Sequence, residues 1–334
     1  MNLKQNKIKF LVIRFSSIGD IVLTSPVVRC LKNQVNNAEV HFLTRQGYAS
    51  LLISNPNIDK VFCRQSKLKE LIALLKEEQY DYLIDLQHNL ISGYIKTLLG
   101  IPSYTFQKLN IKKFLMVSLK INLLPSVHIV DRYLATLSYF DVVNDGKGID
   151  FFIDRTEEFD LKKYPVLLKN GYVAFVLAGT WSTKKLPAGK VIDICKRIDH
   201  PVILLGGKSE MGEAQIIESS LPGNIVCNFA GKITLGQSAS LLRDANVVLT
   251  NDTGLMHIAA AFKKKIISFW GNTIPEFGMY PYMADICSSI IEVKGLRCRP
   301  CSKLGYRRCP AGHFRCMNIN VEEVVNWVNK NYYD

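Results

Sequence analysis

Twice along this chain, short apolar runs alternate with amphipathic segments, and that rhythm leaves few folds open. Apolar runs at 9–14, 39–44, 59–63 and 81–86 read as strands, and the intervals near 21–34, 47–53 and 66–78 read as helices. A turn-forming cluster at 144–150 and a charged stretch at 154–166 with one proline interrupt the series. It then restarts, with strands expected at 172–177, 201–205, 225–228, 246–250 and 265–269 and helices near 187–198, 209–220, 235–243 and 254–262. Strands separated by helices pair in parallel, because the chain must cross back over the sheet before it can pair again. Two such series predict an α/β protein of two doubly wound, Rossmann-like domains. We place them at 1–153 and 167–320, with an amphipathic helix in 321–334 that could pack back on the first domain.

Composition narrows the class. With 48% hydrophobic and 21% charged residues the chain can build two sizeable cores. No apolar run reaches the ~18–20 residues of a membrane-spanning helix. Met1–Lys7 lacks the apolar core of a signal peptide, so a cytoplasmic location is expected. The net charge of +13 is spread evenly: 19 Lys/Arg against 12 Asp/Glu in residues 1–150, and 23 against 17 in the rest. Such a balance suits polyanionic ligands in general. A local feature is sharper. No acidic residue lies between Asp85 and Asp131, while Lys96, Lys108, Lys112, Lys113 and Lys120 do. The mixture of basic and apolar residues at 112–121 fits a membrane-surface segment, and equally a core helix whose lysines reach outward.

Four strand ends carry candidate chemistry. Thr250-Asn-Asp-Thr-Gly254 closes one strand and opens an apolar helix, leaving backbone N–H groups at a positive dipole end, which suits a phosphate. An ordinary capped strand–turn–helix has the same signature. Arg14-Phe-Ser-Ser-Ile-Gly-Asp20 closes the first strand, and Gly19 permits a tight turn or close backbone approach to a ligand. Asp20 then stands in the first turn of a helix, as a ligand-facing carboxylate or as a simple complement to the dipole. The loop Ala178–Pro187 offers the hydroxyls of Thr180, Ser182 and Thr183 beside Lys184 and Lys185, a reasonable diphosphate clamp or a solvated loop. Gly206-Gly207-Lys208-Ser209-Glu210 lets the chain pass near a ligand, with Glu210 either on a ribose hydroxyl or starting the next helix. His257 lies one turn into the helix after Asp252-Thr253-Gly254. The Gly-x-Gly-x-x-Gly dinucleotide fingerprint and the Gly-Lys-Ser/Thr phosphate loop are both absent.

Arg14–Pro26 resembles the opening signature of the lipopolysaccharide heptosyltransferases, glycosyltransferase family nine, and Asn251–His257 resembles their donor-binding motif. The Cys298–Cys316 stretch is similar to the tail of many members. The resemblance implies a GT-B architecture, two Rossmann-like domains facing across a cleft, with the acceptor mainly on the first and the nucleotide-sugar on the second. It implies inverting transfer of a heptose from ADP-heptose to a lipid A–core type acceptor at the inner leaflet, by a peripheral enzyme with neither cofactor nor essential metal. Carried over by position, Asp20 is the catalytic base. Thr180, Lys184, Glu210, Asp252, Thr253, Gly254 and His257 fall on the donor side, although Trp181, Ser182 and Thr183 depart from the usual pattern. Ser17, Gly19, Lys112 and Lys113 are assigned to the acceptor or membrane side.

The residue chemistry is compatible with this. Inverting transfer needs a base on the acceptor hydroxyl and stabilisation of the departing diphosphate, for which helix N-termini and Lys184 are available. No Asp-x-Asp pair occurs between the two series' phosphate loops or elsewhere in the chain. Cys298, Cys301, Cys309 and Cys316 form C-x2-C-x7-C-x6-C with His313 inside, a spacing closer to a zinc site than to a disulfide framework. A reduced, loop-ordering cluster is the default. Two alternatives stay open: the same fold moving another activated sugar, and a basic nucleic-acid-binding protein with a cysteine module. The even charge distribution and the lack of an aromatic–basic recognition motif speak against nucleic acid.

Overall fold

The computed structural model describes residues 7–64, 67–222 and 226–333. It divides into two compact units. The first runs to Lys108 and resumes over Val127–Phe152, and the second takes Leu109–Ser126 and everything from Ile153 onward.

The first unit is built on five parallel strands: β1 (Ile8–Ile13), β2 (Ala38–Arg45), β3 (Lys60–Arg64), β4 (Tyr82–Asp85) and β5 (Ser103–Thr105), in spatial order β3-β2-β1-β4-β5. β1 is central, and its residues Phe10–Ile13 are fully buried, which explains their unbroken apolar run. The four expected strands form, and β5 is an addition whose three residues are too few to give a pattern. The helix expected over 21–34 is two helices, Ile18–Val22 and Ser25–Gln34. Pro26 cannot donate into a continuing ladder. The Thr24 and Ser25 hydroxyls donate to the carbonyls of Ile21 (2.6 Å) and Val22 (2.8 Å), closing the first helix. The 144–150 turn cluster is pinned rather than loose, because buried Arg29 donates to Asp145, Asp150 and the Gly148 carbonyl.

The second unit carries six parallel strands: β6 (Val173–Val176), β7 (Val202–Leu205), β8 (Val226–Asn228), β9 (Val247–Asn251), β10 (Lys265–Trp270) and β11 (Ser289–Glu292). Their order is β11-β10-β9-β6-β7-β8. β6 and β9 are buried along their whole length. Ile225, included in an expected strand, lies outside the described residues. The C-terminal helix Val321–Asn331 contributes to the second unit's core, where Val324, Val325, Val328 and the following Tyr332 sit in one cluster with Val173, Val247 and Ile267.

In each sheet the chain adds strands to one side and then crosses to the other. The reversal falls between β1 and β4 in the first unit and between β6 and β9 in the second. Ligands of open α/β sheets bind outside the carboxyl ends of the strands at such reversals.

Candidate functional site

The reversal in the first unit holds Asp20. Arg14 directly follows β1 and is buried, with Nη2 2.6 Å from Asp20 Oδ1, while the Ser17 amide and hydroxyl donate to Asp20 Oδ2 at 3.1 and 2.8 Å. Arg14 also donates to the Leu86 carbonyl, and the Phe15 amide donates to Gln87 Oε1 at 2.8 Å, so the loops after β1 and β4 are tied together. Burial pulls the Arg14 guanidinium toward its neutral form, but Tyr133 and Asp20 outweigh it and the net shift is upward. The result is a permanently charged strut that orients one partly exposed carboxylate. Gly19, expected in a turn, is buried in the first turn of the helix Ile18–Val22. Gln87 belongs to no motif in the sequence, whereas Arg14 opens the Arg14–Pro26 signature and directly follows the apolar central strand.

The reversal in the second unit gathers the loop after β6 and the turn after β9. Asn251 is buried and joins them: its Nδ2 reaches the carbonyls of Val176, Leu177 and Ala178 at 3.2–3.3 Å, and its Oδ1 accepts from the Leu186 amide at 2.9 Å. This brings Lys184 onto Asp252, Nζ to Oδ2 2.5 Å, with Thr273 Oγ1 donating to the same oxygen at 3.0 Å. The helix Gly254–Ala261 starts after Thr253, whose side chain makes no cap bond, so its first amides are not used by that hydroxyl. His257 is 2% exposed on the core side of this helix. Thr180 is exposed in the β6 loop. Thr183 is not available to a ligand: its amide and Oγ1 donate to the Tyr306 carbonyl, and its Oγ1 accepts from the Tyr306 amide.

Glu210 has a local structural job. It is 3% exposed, and its carboxylate accepts from the Gly207 amide (2.9 Å), Ser209 Oγ (2.8 Å) and Lys185 Nζ (2.6 Å). A Cβ at Gly206 would lie 2.9 Å from Glu210 Cβ, so the first glycine makes room for this glutamate as much as for any ligand.

Ser17 and Gly19 lie in the first unit, whereas Lys112 and Lys113 lie in 109–126, which is part of the second. Their helix, Asn110–Ser118, has no buried residue, which rules out the core-helix reading. Lys113 lies 5.7 Å over the Phe277 ring. Among the described residues no helix is long and apolar enough to cross a membrane.

All nine cysteines are thiols. Cys298 Sγ is 3.8 Å from His313 Nε2, and burial pushes the Cys301 thiol up to about 11, with Cys298, Cys316 and Cys309 adding to the shift. No three of these groups bring ligand atoms within 4.8 Å of one another, so in this structure they form a neighbourhood without converged ligand atoms. Among the described residues only Glu39, His41 and Glu78 converge that closely. Lys7, Lys9 and Lys60 already pair with those carboxylates.

Comparison with known proteins bears on the family and the fold. The model of glycosyltransferase family 9 (heptosyltransferase) matches residues 68–305. The chain is 26% identical over 325 residues to lipooligosaccharide heptosyltransferase 2 of Campylobacter jejuni, covering 94% of this chain and 96% of that one. It is 25% identical over 288 residues to lipopolysaccharide heptosyltransferase 1 of Campylobacter coli, covering 79% and 84%. Among solved structures it is similar to ADP-heptose heptosyltransferase II of Escherichia coli, with a TM-score of 0.74, 18% identity and 97% and 98% of the chains covered. A family 9 glycosyltransferase of Veillonella parvula gives 0.77 at 18% identity, covering 99% of each. The two units thus have the GT-B fold, and the chain belongs to glycosyltransferase family 9, the heptosyltransferases.

Proposed function

We propose that the chain transfers a heptose from ADP-heptose to a lipid-linked core acceptor of lipopolysaccharide, with inversion at the anomeric carbon. The observation that carries this reading is the placement of two different charge assemblies at the two sheet reversals: a single oriented carboxylate at β1, and a lysine beside a helix start at β6 and β9. The names of the relatives support the substrate class, since they are lipopolysaccharide and lipooligosaccharide heptosyltransferases.

In this mechanism Asp20 takes the proton of the acceptor hydroxyl as that oxygen forms its bond to the anomeric carbon. The bond from that carbon to the diphosphate breaks, and its electron pair leaves with ADP. Arg14 and Ser17 hold the Asp20 carboxylate in position, which is worth more to a general base than a freely rotating acid. The charge growing on the diphosphate is met by Lys184 and by the amides around Thr253 and Gly254. Asp252 positions Lys184 until the donor arrives. Thr180 lends a hydroxyl to the phosphates, His257 packs beneath the phosphate turn, and Glu210 contacts the ribose through the lone pairs left by its internal bonds. The acceptor comes from the inner leaflet, which places the enzyme at the cytoplasmic face of the membrane. Incubation of the purified protein with ADP-heptose and heptose-deficient core glycolipid, read by mass spectrometry, tests the proposal: a mass gain of one heptose is expected. Donor hydrolysis without glycolipid product, or transfer only from another sugar nucleotide, would overturn it.

A further inference from the structure

The chain has a second acid-free stretch. Between Glu292 and Glu322 no acidic residue occurs, and six of the Lys/Arg residues from Lys294 to Arg315 are exposed. The fold of the second unit joins it to the first such stretch. Lys120 Nζ donates to the carbonyls of Pro300 (2.6 Å) and Cys298 (3.3 Å), besides that of Val117 in its own segment. Both stretches also present large apolar side chains to solvent. Ile111 is 77%, Phe114 58% and Leu304 65% exposed, with Leu119, Leu123 and Tyr306 also outside.

We infer that these two segments form one docking surface for an anionic lipid bilayer. Basic residues without a single acid are attracted to anionic headgroups, and exposed aromatic and aliphatic side chains can enter the headgroup boundary. Nucleic acid would use the cations and could stack a base on Phe114, but it gives the aliphatic Ile111, Leu119, Leu123 and Leu304 little to bury against. The surface is coupled to the site already described, because Tyr306 holds Thr183 at both its amide and its hydroxyl, next to Lys184. The inference deepens the proposed function, which places the acceptor in a membrane, but has its own test.

The protein is sedimented with phosphatidylcholine vesicles with and without phosphatidylglycerol. Binding is expected only where phosphatidylglycerol is present. Each charge near an anionic surface is worth roughly fivefold in affinity, so K303Q/R307Q/R308Q should bind on the order of a hundredfold more weakly. K162Q/K163Q/K196Q removes the same charge elsewhere and should bind as the parent does. Phe114→Ser with Lys112→Gln probes the other segment independently and should also weaken binding. A melting curve and an ADP titration, both expected to match the parent, separate these losses from misfolding. Equal loss in the control triple variant, no vesicle binding by the parent, or a preference for oligonucleotides over vesicles would overturn the inference. Transfer to a delipidated core oligosaccharide reports on the proposed function alone, whatever the vesicles show.

Discussion

Replacing Lys184 by alanine isolates the donor half of the account. A charged hydrogen bond contributes on the order of 1.5–3 kcal/mol, and about 1.4 kcal/mol is a factor of ten in Kd. The loss of affinity for ADP should therefore be roughly ten- to a hundredfold. The surroundings push it toward the upper end. The Lys184 and Asp252 side chains are only 17% and 11% exposed, so water screens them incompletely, and without the lysine the Asp252 carboxylate faces the diphosphate uncompensated. Lys184→Ala with Asp252→Asn removes that repulsion and should recover part of the loss, a coupling that a double-mutant cycle measures. Isothermal titration with ADP provides all four Kd values. An unchanged Kd in Lys184→Ala would remove the residue from the site. A double variant weaker than Lys184→Ala would mean that Asp252 contributes binding of its own and not merely the positioning of the lysine.

Arg29→Met should cost about 3 kcal/mol of stability, the lower end for a broken buried pair, because Asp145 and Asp150 keep some contact with water; urea unfolding measures it, and a loss below ~1 kcal/mol would show the turn cluster to be held by other means. His41 gives a pH dependence. Burial lowers its pKa below the ordinary 6.5, against the attraction of Glu78 and Glu39. Between 6.5 and that lowered value the unfolded chain binds a proton that the folded chain refuses, so stability falls as pH drops through this window. His41→Gln should flatten that limb of the melting temperature against pH, leaving the slope due to His200, which burial also lowers; an unchanged slope would contradict the assignment.

Both parallel sheets were legible because their central strands are buried on two faces and so read as unbroken apolar runs, as in Phe10–Ile13 and Val247–Leu249. The spatial order of the strands, and with it the reversals beside Asp20 and Asp252, came from the structure. The edge strands Ser103–Thr105 and Ser289–Glu292 were not legible, being short and half exposed. The partners that give the site residues their geometry were also hidden. Arg14 reaches Asp20 across a turn, and Asn251 holds three carbonyls from a strand more than seventy residues away in sequence. Such contacts have no local period. Thr183 shows the converse error: it looked like a ligand hydroxyl because small polar residues fit loops of either kind, and only the fold reveals that Tyr306 occupies it. The break at Pro26 was readable from the residue itself. The membership of 109–126 in the second unit was not, since it depends on packing such as Lys120 against the Cys298–Pro300 carbonyls.

The most direct test of the central claim is turnover by Asp20→Asn with saturating donor and acceptor. Asparagine keeps the size of the side chain and can still accept from the Ser17 amide and hydroxyl, but it has no carboxylate to take a proton. General-base catalysis is worth roughly 10²–10⁴-fold. The account predicts a fall in turnover of that size, with the ADP affinity unchanged and the melting temperature lowered by no more than the loss of the Arg14 ion pair explains. Near-normal turnover in a folded variant that still binds ADP would contradict it, and would leave Asp20 as the capping-box partner of Ser17 at the start of the helix Ile18–Val22.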